Sequence, residues 1–356
     1  MSLFASAHAV HHPLKAPFRI SRGVKTSADV VVVEARAQGH VGRGEGVPYA
    51  RYNETVEGVL AQLEPALAAL ERDSDPAGQE AALALLPPGS ARNALDCALW
   101  DLRARQTGVS VAEIIGLPVP AALVTAVTVS LDVPEAMAAA ARAVADAPLI
   151  KIKLSAEDPA ARLRAVAAAA PDSRFIVDPN EGWTFRILDD LRPLLADLPI
   201  ALVEQPLPAG ADQRLDGYDP PFAICADESV HVGVDLAALR GRYQAVNLKL
   251  DKTGGLTEAV RMLEQARGLG FQLMAGCMVA SSLGIAPALH LAGGCQFTDL
   301  DGPWWLAEDH PGGLRLQDGH ITPPARGFWG DGIEAEGLWL SPRTKASRRK
   351  PGPRFG

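Results

Sequence analysis

A chain of 356 residues with 48% hydrophobic content is long enough for two domains, or for one barrel with an attached lobe, and is not generally disordered. The net charge of −8 argues against nucleic acid as a main partner, and no apolar run reaches the roughly 18 residues of a membrane span. The opening "MSLFASAHAVHHPLKAPF" lacks the charged-then-apolar order of a secretory signal, so a cytoplasmic protein with neither a nucleic-acid nor a membrane partner is expected.

In chain order, "ADVVVVEARAQG" reads as a strand entering a Gly-rich turn, and "GRGEGVPYARYNET" as a loop dense in Gly, Tyr and charge. Helical apolar spacing then covers Glu54 to Asp73 and Ser90 to Gln106, with Ser90 as N-cap and Gly108 as the stop. These elements predict an α+β lobe over residues 1–120. From about Ala121 the texture changes to alternating strands and Ala/Leu-rich helices, the pattern of parallel βαβ units. The candidate strands are "LVTAVTVS", "LIKIKL", "RFIVD", "ALVEQ", "FAICADE", "AVNLKL", "FQLMAG" and "CQFTDLD". From the second onward they end at or near Lys153, Asp178, Glu204, Asp227, Lys249, Gly276 and Asp299, at gaps of 25, 26, 23, 22, 27 and 23 residues. Each gap fits one strand, one helix and two short loops. Eight such units predict an α/β fold, a (β/α) barrel over 121–314 whose strand ends converge on one mouth. The last residues, 341–356, carry six basic side chains and no acid from Pro342 on, and are expected to form a disordered tail.

Side chains two apart share one face of a strand, so Lys151 and Lys153 in "LIKIKL" point one way while Ile150, Ile152 and Leu154 point the other. The next three strands end in Asp178, Glu204 and Asp227, anions that repel one another unless a cation sits among them. All-oxygen ligation selects Mg²⁺, with Mn²⁺ also admissible, and three protein ligands leave positions open for substrate. The four scattered cysteines, without a CxxC pair, suit neither a zinc cage nor a disulfide framework. Lys153 precedes the acids in strand order and Lys249 follows them, so the two lysines flank whatever the metal holds. A metal-bound carboxylate with a lysine on each face of its α-carbon is arranged to move that carbon's proton. Lys151, a like charge beside Lys153, is expected to lower the proton affinity of that base and to help hold the substrate carboxylate. Glu181 and Glu228 stand close to the acids as supports or helix-start residues. A competing reading makes Lys249 a Schiff-base nucleophile and leaves the acids unexplained; another makes the chain a non-catalytic binder.

In their order and spacing, "KIK", "DPNEGW", "VEQP", "ADES" and "KLDKTGG", behind a lobe containing "ISRG" and "GEGVPYARY", resemble the enolase superfamily and, within it, the muconate-lactonizing subgroup. The resemblance implies a modified TIM barrel with an α+β N-terminal capping domain that a segment of about 315–340 closes. It also implies one Mg²⁺ per subunit on Asp178, Glu204 and Asp227, an acid/base pair in Lys153 and Lys249 with Lys151 assisting, and supporting roles for Asn180 and Glu228. "TDLDGP" puts Asp299 and Asp301 on one face. In dipeptide epimerases of this family a DxD here binds the substrate's free α-ammonium. Arg22 in "ISRG" falls on the loop that covers the mouth in such relatives, where a guanidinium pairs with a side-chain carboxylate. Thr128, Cys277 and Met278 complete the expected substrate contacts. The implied reaction is the isomerisation of L-Ala-L-Glu to L-Ala-D-Glu, a murein-peptide reaction, by a homo-oligomer. Lactonizing, o-succinylbenzoate-forming and N-acylamino acid racemising activities stand as alternatives within the subgroup.

Overall fold

A computed structural model describes residues 3–334; the tail expected over 341–356 and the end of the closing segment lie outside the described residues. The chain begins with three antiparallel strands in sequential order, β1 (Phe4–Ile20), β2 (Gly23–Ala37) and β3 (His40–Gly46). The unbroken valine run of β2 has a simple cause. Val31, Val33 and Ala35 pack into a core with α1 (Val56–Arg72) and with α3 (Ser90–Thr107), which follows α2 (Pro76–Ala84). Val30 and Val32, on the opposite face, belong to the core of the barrel. A strand covered on both sides shows no polar alternation.

On β3, Gly42, Gly44 and Gly46 let α3 lie directly on the strand backbone. A Cβ at these positions would come within 2.2, 2.2 and 2.1 Å of the carbonyl oxygens of Ala98, Ala94 and Ser90. The helix boundaries differ slightly from expectation. α1 starts after Thr55, whose hydroxyl accepts from Gly58 N. Ser90 opens α3 rather than capping it, because its N–H is already held by Glu54 Oε1 at 2.9 Å, while Gly108 ends the helix at φ 66° as expected.

After a short β4 (Leu123–Val124) come eight parallel strands: β5 (Val127–Val129), β6 (Leu149–Lys153), β7 (Arg174–Asp178), β8 (Ile200–Glu204), β9 (Ala223–Ala226), β10 (Ala245–Leu248), β11 (Gln272–Gly276) and β12 (Phe297–Asp299). Each pairs with the next in chain order. The first and last meet through single bonds, such as Ala126 N to Thr298 O at 2.8 Å and Leu300 N to Thr125 Oγ1 at 2.9 Å, so the barrel is nearly closed. Between β8 and β9 the expected helix is reduced to the 3₁₀ turn Gln213–Leu215, and between β9 and β10 a second 3₁₀ turn leads into a helix of four residues. Pro206, Pro208, Pro220 and Pro221 in the first of these links disfavour a longer helix.

Within the expected closing segment, β13 (Arg315–Gln317) and β14 (His320–Thr322) form a hairpin that pairs with β4. Farther on, Arg105 of α3 donates to the carbonyls of Gly327, Phe328 and Ile333, and Trp329 Nε1 donates to Arg43 O at 2.8 Å.

Two buried carboxyls join the sheet layer to the barrel. Glu45, between two of the close-packed glycines, accepts from Ser281 N at 2.9 Å and from the Ser281 hydroxyl. Asp251, just past β10, accepts from Val47 N at 2.9 Å and Asn93 Nδ2 at 2.8 Å. Burial pushes each up to about 7. A carboxyl whose folded pKa exceeds its ordinary value of 4.5 binds its proton more tightly in the folded state. Its contribution to stability is therefore full below that value and is lost as pH rises toward 7. Glu45→Gln should accordingly flatten the fall in melting temperature between about pH 5 and about pH 8. Calorimetry of the two proteins checks this, and equal slopes would remove Glu45 from the account.

Candidate active site

All five residues of β6 are buried. Ile150 and Ile152 enter the outer core against the helices, and Lys151 and Lys153 turn into the barrel mouth. Lys153 Nζ lies 2.5 Å from Asp178 Oδ2. Across the acids, Lys249 Nζ lies 2.7 Å from Asp227 Oδ2 and 3.9 Å from Glu204 Oε1. The two lysines flank the three strand-end carboxylates, as the strand order predicts.

Lys151 corrects one expectation. Its Nζ is 2.7 Å from Glu204 Oε2, 2.7 Å from Asp299 Oδ2 and 3.0 Å from Asp178 Oδ2. Burial alone would lower its pKa, but Asp299, Glu204 and Asp178 outweigh burial and hold it well above the usual value. Lys151 is thus no bare like charge acting on Lys153; it is a compensated cation tying β6 to β7, β8 and β12.

The acids differ among themselves. Despite burial, Lys153 and Lys151 keep Asp178 below the ordinary carboxylate range, and Lys249 and Lys252 keep Asp227 well below it. Glu204 goes the other way: burial and the charge of Asp178 push it up to about 7. Glu204 Oε1 accepts from Asn247 Nδ2 at 2.8 Å, while the buried Oε2 has the Lys151 ammonium 2.7 Å away. Three buried carboxylates on adjacent strand ends, offering only oxygen donors, fit a hard divalent cation, which Asp178, Glu204 and Asp227 would hold. A second trio, His12, Glu45 and His310, brings ligand-type atoms within 4.8 Å of one another. Both Glu45 oxygens are engaged by Ser281, and none of these three side chains lines the cavity over the lysines. Of the two groups, the acids at the mouth are the one that reaches that cavity, through Asp227.

Several supports escaped the sequence reading. Lys252 is buried and donates to Asp227 Oδ1 and Asp227 O, both at 2.6 Å, and to Asn247 O at 3.0 Å. Gln205, in a left-handed backbone conformation at φ 35°, accepts from Asp227 N at 2.9 Å. Asn247 was readable, since it precedes Lys249 by two and shares its inward face. Asn180, also left-handed at φ 46°, donates from its backbone N to Asp178 Oδ1 at 2.8 Å, the supporting position expected of it.

The mouth opens into a cavity of about 430 Å³ that the β1–β2 hairpin overhangs. Thr128, Cys277, Met278, Asp299 and Asp301 all line it. Thr128 N donates to Asp301 Oδ2 at 2.8 Å. Asp299 has one oxygen on Lys151 and the other without a hydrogen bond among the described residues. Burial and the charge of Asp299 raise Asp301 to about 6. Arg22 also lines the cavity, but its terminal N–H groups are taken. One nitrogen donates to Asn180 O at 2.8 Å and Glu181 Oε2 at 2.9 Å, the other to Tyr49 OH at 2.9 Å and Glu228 Oε1 at 2.6 Å. Glu228, expected to support the metal ligands, is here the counter-ion of Arg22.

Residues 5–116 match the family described as mandelate racemase / muconate lactonizing enzyme, N-terminal domain, and residues 135–335 match the enolase C-terminal domain-like family. The chain belongs to this enolase-type family. It is 46% identical over 311 residues to the L-Ala-D/L-Glu epimerase of Escherichia coli (strain K12), covering 87% of this chain and 96% of that one. It is 43% identical to an N-acetyl-D-glutamate racemase of a Pseudoalteromonas species, over 87% of this chain and 98% of the relative. A solved enolase family member from Agrobacterium tumefaciens, described as homologous to dipeptide epimerases and holding sodium and L-Ala-L-Glu, superposes with a TM-score of 0.88 at 47% identity. That match covers 92% of this chain and all of the other.

Proposed function

We propose that the protein is an isomerase that epimerises a dipeptide at the α-carbon of its carboxy-terminal residue, interconverting L-Ala-L-Glu and L-Ala-D-Glu with Mg²⁺ as cofactor. The observation that carries this reading is the pair Lys153 and Lys249 on either side of three buried acids, with Asp299 and Asp301 lining the same cavity. Asp178, Glu204 and Asp227 would hold a divalent cation, which when bound would supply positive charge to the substrate carboxylate as negative charge builds on it. Lys153 Nζ removes or returns the α-proton on one face, and Lys249 Nζ does so on the other. A proton taken from one face and returned to the opposite one inverts the carbon. Lys151 Nζ, held by three carboxylates, stays charged at the floor of the site and offers a fixed cation to the substrate carboxylate. Asp299, with one oxygen on Lys151 and the other without a hydrogen bond among the described residues, forms with Asp301 a pair suited to a free α-ammonium, and the N–H of Thr128 fixes Asp301 for that contact.

A second reading has its own support. N-acetyl-D-glutamate, for which the Pseudoalteromonas relative is named, shares the glutamate α-carbon and side chain but has no free ammonium. Proton NMR in D₂O with Mg²⁺ separates the two readings. Incubation with L-Ala-L-Glu should erase the Glu α-proton signal while the L,D product appears, and a chelator should stop both. Exchange of N-acetyl-L-glutamate without exchange of any L-Ala-L-Xaa dipeptide would establish the second reading, and exchange of neither would sink both.

The same reading makes the protein a homo-oligomeric cytoplasmic enzyme of murein-peptide turnover whose partner is the small dipeptide. The net charge of −8 supports the absence of a nucleic-acid partner. Among the described residues no helix is long and apolar enough to cross a membrane.

A further inference from the structure

The trio outside the mouth lies at the seam where the amino-terminal sheet meets the barrel. His12 comes from β1, Glu45 from β3 and His310 from the chain beyond β12, and their ligand-type atoms all lie within 4.8 Å of one another. The backbone makes this meeting. Leu14 forms an antiparallel bridge with Leu306, and Ala307 N donates to Pro13 O at 2.8 Å, which brings the chain after Leu306 alongside β1. The rings of His12 and His310 then meet edge to face, with centroids 5.9 Å apart.

The state of each group suits a ligand. The buried Nε2 of His12 has no hydrogen bond among the described residues, which packing alone leaves unexplained. Burial lowers the pKa of both imidazoles, so each is neutral at pH 7 and keeps a nitrogen lone pair to share. Glu45 is 1% exposed, and each of its oxygens accepts once, from the N–H or the hydroxyl of Ser281. A carboxylate oxygen so used still has a second lone-pair site. The fixed charges nearby are already placed. Asp309, whose negative charge acts on both rings, is held by the N–H and hydroxyl of Ser282, and Arg43, whose charge acts on His310, pairs with Glu34 at 3.0 Å.

We propose that His12, Glu45 and His310 bind a zinc-class divalent cation, distinct from the Mg²⁺ of the mouth, that ties β1 to the chain beyond β12. Two imidazoles and one carboxylate are a borderline donor set, which zinc accepts readily, whereas the all-oxygen acids of the mouth suit a hard ion. Three protein ligands leave a fourth position for water. His12 and His310 are half-buried, so the ion can enter from solvent without opening the core. Because β1 also forms one arm of the hairpin over the mouth, the ion acts as a brace between that strand and the barrel. This assignment does not depend on which substrate the mouth takes.

Calorimetric titration of Zn²⁺ into the full-length protein, with Mg²⁺ in excess to fill the mouth, tests the assignment. The wild type should bind one equivalent, and Glu204→Gln, altered at the mouth, should still bind it. His12→Gln and His310→Gln should each weaken binding by at least about 100-fold, because losing a ligand costs more than losing the partner that orients one, about 10- to 100-fold. Co²⁺ in place of Zn²⁺ reads the donor set without any variant. A nitrogen-containing site of four or five ligands absorbs visible light far more strongly than an octahedral oxygen site, and the wild type should show the stronger spectrum. An equivalent that vanishes in Glu204→Gln but persists in His12→Gln would put zinc at the mouth and overturn the proposal. No zinc binding by the wild type, or only the weak octahedral Co²⁺ spectrum, would overturn it equally.

Discussion

Lys153→Ala and Lys249→Ala should each slow epimerisation by about 10²- to 10⁴-fold, the usual range for a positioned acid or base. Yet each variant should continue to exchange the α-proton of one stereoisomer with solvent deuterium, and the two retained isomers should be opposite. The reason is geometric. Inversion needs one proton to leave and another to arrive on opposite faces of the carbon, whereas exchange with retention needs only the face that still carries a lysine. The surroundings make the experiment clean, because Lys252 stays bonded to Asp227 at 2.6 Å when Lys249 is removed, and Lys151 stays 3.0 Å from Asp178 when Lys153 is removed. Deuterium incorporation into separate L,L and L,D substrates reads the outcome. Loss of exchange from both isomers in both variants would defeat the division of labour.

Chelation has the other large effect. Removal of divalent metal should lower the rate by at least about 10³-fold, since charge stabilisation by a metal supplies several kcal/mol and each tenfold corresponds to about 1.4 kcal/mol. Added Mg²⁺ should restore it. Glu204→Gln should reproduce the loss in a form that Mg²⁺ does not rescue. Asn247 can still donate to the retained amide oxygen, but the new NH₂ faces Lys151 Nζ, which is 2.7 Å from Glu204 Oε2. Direct measurement of bound Mn²⁺ by electron paramagnetic resonance checks this independently of rate. A Gln variant with unchanged metal affinity would move the centre elsewhere.

The barrel and its chemistry were legible because strand ends obey strict rules. Alternation fixes which side of β6 carries Lys151 and Lys153, and the regular spacing of units brings Asp178, Glu204, Asp227 and Lys249 to one end. Legibility stops where the strands stop. Gln205 acts through left-handed backbone just beyond β8, and Lys252 sits in a single helical turn after Lys249; neither alternation nor helical periodicity reaches these residues, and Asn180, beyond β7, is reached only through the family resemblance. The partners of Arg22 come from Asn180, Glu181, Glu228 and Tyr49, far from it along the chain, so no local pattern announces that its charge is already balanced. The spacing of Gly42, Gly44 and Gly46 likewise acquires meaning only once α3 is known to lie on them.

The valines of β2 set a limit on recombination. Because the hairpin that overhangs the mouth belongs to this strand, exchanging the amino-terminal segment between relatives is an obvious route to new specificity. But Val30 and Val32 are packed in the barrel's core, so a transplanted segment brings half of an interface whose other half stays behind with the recipient. Grafts that carry the matching barrel contacts should fold, whereas those that do not should present an uncovered apolar face to the ribosome-fresh chain and aggregate. Exchange of this segment is therefore tied to exchange of the barrel residues that pack on Val30 and Val32.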